Sequence, residues 1–248
     1  MQIDKKPDEI IIDRSGKEDP WTLTDLIVSA PVIFIVFITL YILMIIAILF
    51  QNRSRIPIAV TDILKNPLYI NLVSLFFALS ILGATIYWGF LKYKISLKEF
   101  GFRPWKFDKK TARTASLLPV IIPINLTISW LLSKYVTMPG WMKEIATDAE
   151  KRLGFIIMGL IVAPVIEELY FRGFAYRVLK SRFGFIPGVI ISGIFFAFFH
   201  LTLIQFIPTM ILGVYLAFLF EYSESLWTPM LFHFLNNACV FLLLTFSL

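Results

Sequence analysis

Residues 163–173 read APVIEELYFRG and place two adjacent carboxylates, Glu167 and Glu168, and one arginine, Arg172, in an otherwise apolar stretch. An ionisable side chain in hydrocarbon costs at least about 2.5 kcal/mol, so it persists when it is paired, faces water or takes part in chemistry. Glu168 and Arg172 are four residues apart, on one helix face, and are predicted to pair. Glu167 lies about 100° further around the helix, so it is predicted to stay free to act as a base.

The composition around this stretch is that of a membrane protein. Hydrophobic residues make up 58% of the 248 residues and charged residues 16%, whereas a soluble domain is about 25% charged. Several continuous apolar runs approach the roughly 20 residues that span a bilayer as a helix. The sequence therefore predicts an all-α, polytopic helical membrane protein. The one cysteine, Cys239, excludes an internal disulfide framework.

Seven membrane helices are predicted, and the polar side chains lie in the last four. The expected helices run over about 26–50, 68–91, 114–135, 153–180, 187–205, 208–222 and from 227 to the C-terminus. Three regions follow: a polar N-terminal tail (1–20), N-terminal helices with a basic connection (21–152), and a core that carries the polar cluster (153–248). No cleavable signal peptide is expected, because the polar start does not lead directly into an apolar run.

The basic residues predict the topology. The net charge is +6, but the basic residues lie between apolar runs, which indicates membrane orientation and not a nucleic-acid partner. When the tail and the connections between the predicted helices are assigned alternately to the two sides of the membrane, one side carries 16 Lys and Arg residues and the other carries 7. The richer side is expected to be cytoplasmic, which places the N-terminus inside the cell membrane. Aromatic residues interleaved with the cations of 92–113 are typical of a segment that lies at the lipid interface.

Two histidines and an asparagine extend the polar cluster onto other helices. His200 follows Phe196 by four residues, and His233 precedes Asn237 by four, so each pair shares a helix face. Glu167 and His200 each lie about 20 Å along a helix from the turn near 183–186, and are therefore expected at one depth. His233 lies only about 9 Å from the start of its helix, so it reaches that depth only if this helix is tilted or begins recessed in the membrane.

This set of side chains suits hydrolysis. A carboxylate can take a proton from water while an imidazole and an amide stabilise the developing oxyanion. Glu167, His200 and His233 could instead hold a zinc ion with water as the fourth ligand. The residues alone leave the two alternatives open, and the cofactor is therefore unknown.

The three motifs Glu-Glu-x-x-x-Arg, Phe-x-x-x-His and His-x-x-x-Asn resemble, in this order, those of the CAAX protease and bacteriocin-processing (CPBP, Abi-type) family. This family of intramembrane endopeptidases includes the Ras-converting CAAX endopeptidase, and the resemblance covers roughly residues 153–248. It implies a catalytic core in which Glu167 and His200 activate water. His233 and Asn237 would stabilise the oxyanion, and Glu168 and Arg172 would support them.

The resemblance also implies partners. The family is usually classed as metalloproteases, although a metal-free glutamate mechanism is also argued for it. Its members act on membrane-associated proteins or peptides, some of them prenylated, and some confer bacteriocin immunity. Membrane lipid and a protein or peptide substrate are thus the expected partners. Two alternatives remain: a non-catalytic immunity or scaffold protein, and an ion- or proton-coupled transporter, although no internal repeat supports the latter.

Overall fold

The computed structural model describes residues 19–51, 67–136, 152–154, 156–200 and 202–246, and every regular element among them is a helix. The N-terminal half contains α1 (Leu23–Gln51), α2 (Pro67–Ala84) continued by a π-helical turn π1 (Thr85–Leu91), α3 (Leu97–Phe100), α4 (Lys109–Ala115) and α5 (Leu118–Leu132). The C-terminal half contains π2 (Ile156–Val162), α6 (Ala163–Glu168), π3 (Leu169–Ala175), α7 (Tyr176–Phe183), α8 (Phe185–Phe198), α9 (Leu203–Ser223) and α10 (Trp227–Phe246). Of the predicted tail, all but the last two residues lie outside the described part of the chain.

The prediction of a polytopic helical membrane protein is confirmed. Five helical stretches are long and apolar enough to cross a membrane: Leu23–Phe50, Asn71–Leu91, Lys109–Leu132, Arg152–Phe183 and Leu203–Ser223. Two shorter apolar helices, Phe185–Phe198 and Trp227–Leu243, accompany them. Together they give the seven predicted helical segments, and the chain is a multi-pass membrane protein.

Two of the predicted boundaries are wrong. The fifth helix was expected over 187–205 and the sixth from Pro208, but α8 ends at Phe198 and α9 already begins at Leu203. The carbonyl of Thr202 accepts hydrogen bonds from the backbone N–H groups of Gln205 and Phe206, so the new helix starts before the proline. Because proline removes only its own N–H from the helix, Pro208 sits inside α9 without setting its start.

The fourth membrane helix contains two π-helical segments. It runs through π2, α6, π3 and α7, so that π turns lie on both sides of Ala163–Glu168. A π turn changes the direction in which side chains leave a helix and is frequent at functional sites. Glu167 and Glu168 are therefore carried on a short α-helical stretch, and Arg172 lies inside π3.

One end of the bundle, which we call the basic end, is formed by residues 19–25, 92–108, 177–185 and 221–227. Its segments are tied together: Trp21 Nε1 donates to the carbonyl of Trp88 at 2.9 Å, and Arg177 pairs with Asp19. In the first turn of α1, Asp25 accepts from Lys92 and from the Tyr93 hydroxyl. The Asp25 carboxylate raises the pKa of Lys92.

At the basic end, the strap Gly101–Phe107 crosses the start of α10. The N–H of Leu226 donates to the backbone carbonyl of Gly101 at 2.9 Å. The hydroxyl of Ser225 donates to the backbone carbonyl of Arg103 at 2.6 Å. The N–H of Lys106 donates to the carbonyl of Ser223 at 3.1 Å. The segment that leads into α10 is thus held by the strap.

Phe100 anchors the strap in the core. Its side chain is fully buried, and its ring centre lies 4.1 Å from that of Phe90 and 5.8 Å from that of Trp21. Gly173 of π3 leaves the space for this ring, since a Cβ there would lie 2.4 Å from Phe100 Cε1. The residue that precedes the strap is therefore packed directly against the helix that carries Arg172.

Candidate active site

A fully buried ion pair lies at the centre of the C-terminal helices. Arg172 Nη1 donates to Glu168 Oε1 at 2.9 Å, and neither side chain is exposed, which confirms the predicted pairing. Arg172 Nη2 donates to the backbone carbonyl of Gly213 at 3.0 Å, and the guanidinium lies 4.6 Å from the centre of the Phe196 ring. Arg172 of π3 is thus fixed by contacts from α6, α8 and α9.

His233 of α10 joins this pair. Its Nδ1 lies 2.8 Å from Glu168 Oε1, the same oxygen that binds Arg172. Because an ionised carboxylate only accepts hydrogen bonds, Nδ1 carries the proton and donates. The other ring nitrogen, Nε2, faces Glu167 Oε2 at 3.8 Å. Glu168 therefore orients His233 so that Nε2 points towards the first glutamate.

Glu167 is partly accessible to solvent. Its side chain is 16% exposed, whereas the side chain of Glu168 is not exposed at all. A separation of 3.8 Å from His233 Nε2 is too long for a hydrogen bond. A water molecule can bridge such a gap between two polar groups. The two adjacent glutamates thus have different environments: Glu168 is buried against Arg172, and Glu167 lies beside the imidazole of His233.

His200 lies in the turn after α8, and not within a membrane helix as predicted. Its Nδ1 lies 3.2 Å from the carbonyl of Phe196, to which it donates, and this leaves Nε2 for another partner. The Phe196 ring contacts both imidazoles edge to face, with centre distances of 4.8 Å to His200 and 5.7 Å to His233.

Asn237 lies one turn beyond His233 on α10. Its Nδ2 donates to the backbone carbonyl of Gly159 in π2 at 3.0 Å, and its Oδ1 accepts from Asn236 at 3.2 Å. Both contacts fix the plane of the amide. An amide NH₂ has two hydrogens, so one N–H of Asn237 stays available after the bond to Gly159.

The three residues that were considered as zinc ligands are Glu167, His200 and His233. Among the residues that the structure describes, no three His, Cys, Asp or Glu side chains are grouped closely enough to hold a metal ion. Of the three, Glu167 and His233 face each other, with 3.8 Å between Oε2 and Nε2. The zinc set stays a prediction.

Two contacts of the site could not have been predicted from the motifs. The carbonyls of Gly213 and Gly159 fix Arg172 and Asn237, yet every residue has a backbone carbonyl, so neither has a sequence signature. Phe196 was noted for its spacing to His200. Its ring proves to contact three site residues.

An apolar groove lies beside the site, between the fourth membrane helix and α10. Its volume is about 570 Å³, and its lining is Trp105, Leu160, Ile161, Pro164, Val165, Trp227, Met230, Leu231 and Phe234. Pro164 precedes Glu167 by three residues and Met230 precedes His233 by three, so the groove runs along the two helices that carry the site. Trp105 comes from the strap.

Comparison with known proteins agrees with the motifs. Residues 149–239, which include all six predicted site residues, match the model of the type II CAAX prenyl endopeptidase Rce1-like family. A Bacillus subtilis (strain 168) protein described as "Putative membrane peptidase YdiL" is 29% identical over 85 residues, or 34% of this chain and 35% of the relative. The chain thus spans about a third of the length of this curated relative. No solved structure matches significantly. The resemblance to CAAX-type membrane peptidases is confirmed.

Proposed function

We propose that this chain is an intramembrane endopeptidase that hydrolyses a peptide bond of a membrane-associated protein or peptide. The observation that carries the proposal is the placement of Glu167 Oε2 3.8 Å from His233 Nε2, with His233 oriented by the buried Glu168. The match to CAAX-type membrane peptidases supports it independently.

Glu167 is the base in this proposal. With His200 nearby, its carboxylate accepts a proton from water, and the resulting hydroxide attacks the carbonyl carbon of the scissile bond. The tetrahedral intermediate then collapses. The C–N bond breaks, and the proton held by Glu167 passes to the leaving amine.

His233 and Asn237 stabilise the negative oxygen of the intermediate. Since His233 already donates from Nδ1 to Glu168, it can donate from Nε2 only as an imidazolium, for which Glu168 supplies the counter-charge. Asn237 contributes its second N–H. Donors held in place before reaction are typically worth about 100- to 1,000-fold in rate.

The groove provides the place for the apolar part of the substrate. Its lining is almost entirely hydrocarbon and aromatic, so an extended peptide backbone inside it would leave its N–H and C=O groups without partners. A hydrocarbon chain has no such groups. A prenylated protein or peptide therefore fits the groove well, with its peptide bond at the level of Glu167 and with membrane lipid around it.

The decisive variant is Glu167→Gln, which preserves shape and removes the base. Proteolysis of a membrane-peptide library in proteoliposomes should fall by about 100-fold or more, because general-base contributions are of that size. The control is Glu224→Gln, the same change at an exposed ion pair with Lys106, which should retain activity. Full activity of Glu167→Gln on a cleaved peptide would contradict the proposal.

A further inference from the structure

Helices α8 and α9, which carry neither Glu167 nor Glu168, come into close backbone contact at two glycines. We propose that the backbone contact between Gly193 of α8 and Gly213 of α9 is a positioning contact, which sets Arg172 and, through it, Glu168 and His233. Its effect on catalysis rests on the proposed function, whereas its effect on the geometry of His233 does not.

The two glycines allow a separation that no side chain would permit. A Cβ at Gly213 would lie 2.9 Å from Gly193 Cα and 3.1 Å from Phe196 Cδ1. A Cβ at Gly193 would lie 2.9 Å from the carbonyl oxygen of Met210. Most of these neighbours are backbone atoms, which cannot rotate away. An alanine at either position therefore forces α8 and α9 apart.

Both helices contact Arg172 at this crossing. The carbonyl of Gly213 accepts from Arg172 Nη2 at 3.0 Å, and the ring of Phe196, three residues after Gly193, lies under the guanidinium. Separating the helices moves the carbonyl, the ring or both. Arg172 is fully buried, so bulk solvent cannot replace a lost partner.

A displacement of Arg172 passes directly to His233. Glu168 Oε1 accepts from Arg172 and from His233 at once. When one donor moves, the shared oxygen moves with it, and the Nδ1–H bond of His233 changes length or angle. A misplacement of about 1 Å at a catalytic group can cost about 100-fold in rate.

The chain allows this to be measured without any substrate. It has only two histidines, so protein labelled with ¹⁵N-histidine gives the NMR signals of His200 and His233 alone, which His200→Gln assigns. The signal of the His233 Nδ1–H, bonded to Glu168, is expected to shift strongly or disappear in Gly213→Ala.

Two other glycines provide matched controls. A Cβ at Gly83 would meet no atom within 4 Å, so Gly83→Ala should leave the His233 signal unchanged. Gly188 lies on α8 like Gly193, and a Cβ there would meet Lys180 Cα at 2.7 Å, away from Arg172. Gly188→Ala therefore crowds α8 against α7 and not against α9. It should destabilise the protein without changing the His233 signal.

Activity gives a second readout. On a cleaved peptide, Gly213→Ala should lower kcat by about 10-fold or more with KM nearly unchanged, because the contact acts on catalytic geometry. If Gly213→Ala does not fold, Gly193→Ala, which crowds the same contact from α8, should shift the same His233 signal. An unchanged His233 signal in a folded variant, or an equal change in Gly188→Ala, would overturn the proposal. If the wild type cleaves no peptide, the NMR result still decides it.

Discussion

At the scale of single residues, one carboxylate oxygen organises the site. Glu168 Oε1 binds an arginine and a histidine that lie on different helices. The i, i+4 spacing predicted the first bond, because it lies within one helix. The bond to His233 could not be predicted, since spacing identifies the face of a helix but not the helix against which that face packs.

Loss of the buried arginine should destabilise the fold. Arg172→Ala removes the arginine partner of the fully buried Glu168, and breaking a buried ion pair typically costs about 3–5 kcal/mol. Thermal unfolding in detergent should therefore show a marked drop in stability and a low yield. Arg113→Ala, at a position outside the core, should change the free energy of unfolding by less than about 0.5 kcal/mol. Equal stability of the two variants would argue against the pair.

The role of His233 can be separated from that of a metal. His233→Ala should lower proteolysis by about 100-fold or more through loss of oxyanion stabilisation. We expect a chelator to leave wild-type activity unchanged, because in the proposed mechanism Glu167 activates water without a metal. Inactivation by chelator and recovery with zinc would instead establish the metal-dependent alternative.

At the scale of helices and loops, the apolar runs correctly predicted which segments are helical. They predicted the ends of the helices less well. The turn after Phe198 lies in a stretch (196–207) without glycine, proline or a charged residue, so composition alone gave no stop signal. The π segments were also not predicted, because they differ from an α-helix by one residue per turn and leave the apolar pattern nearly unchanged. The depth of His233 predicted that α10 is tilted or begins recessed in the membrane, and this stays a prediction.

The anchoring of the strap can be tested with one pair of variants. Phe100→Ala removes a fully buried ring, which typically costs about 3–5 kcal/mol. Phe107→Ala is the same change where 68% of the side chain is exposed, and it should cost little. Unfolding in detergent measures both, and a similar stability of the two variants would show that Phe100 is no anchor.

At the scale of the whole molecule, the orientation in the membrane is predicted by charge. The basic end is expected to face the cytoplasm, because positive residues are retained on that side. In a Cys239→Ser background, Lys106→Cys should be protected from an impermeant thiol reagent in intact cells. Lys134→Cys, beyond the other end of α5, should be labelled. Labelling of both from outside would overturn the predicted topology.

The shortness of α8 has a consequence for the bilayer itself. Its 14 residues span about 21 Å, whereas the hydrocarbon layer is about 30 Å thick. A helix of this length that starts at one surface ends about 9 Å short of the other, so the turn that carries His200 is expected within the hydrocarbon layer, covered by protein or by thinned lipid. Such hydrophobic mismatch costs a fraction of a kcal/mol per Å and sorts proteins by membrane thickness. The protein is thus expected to favour thin regions of membrane, where the path for water to its glutamates is shortest.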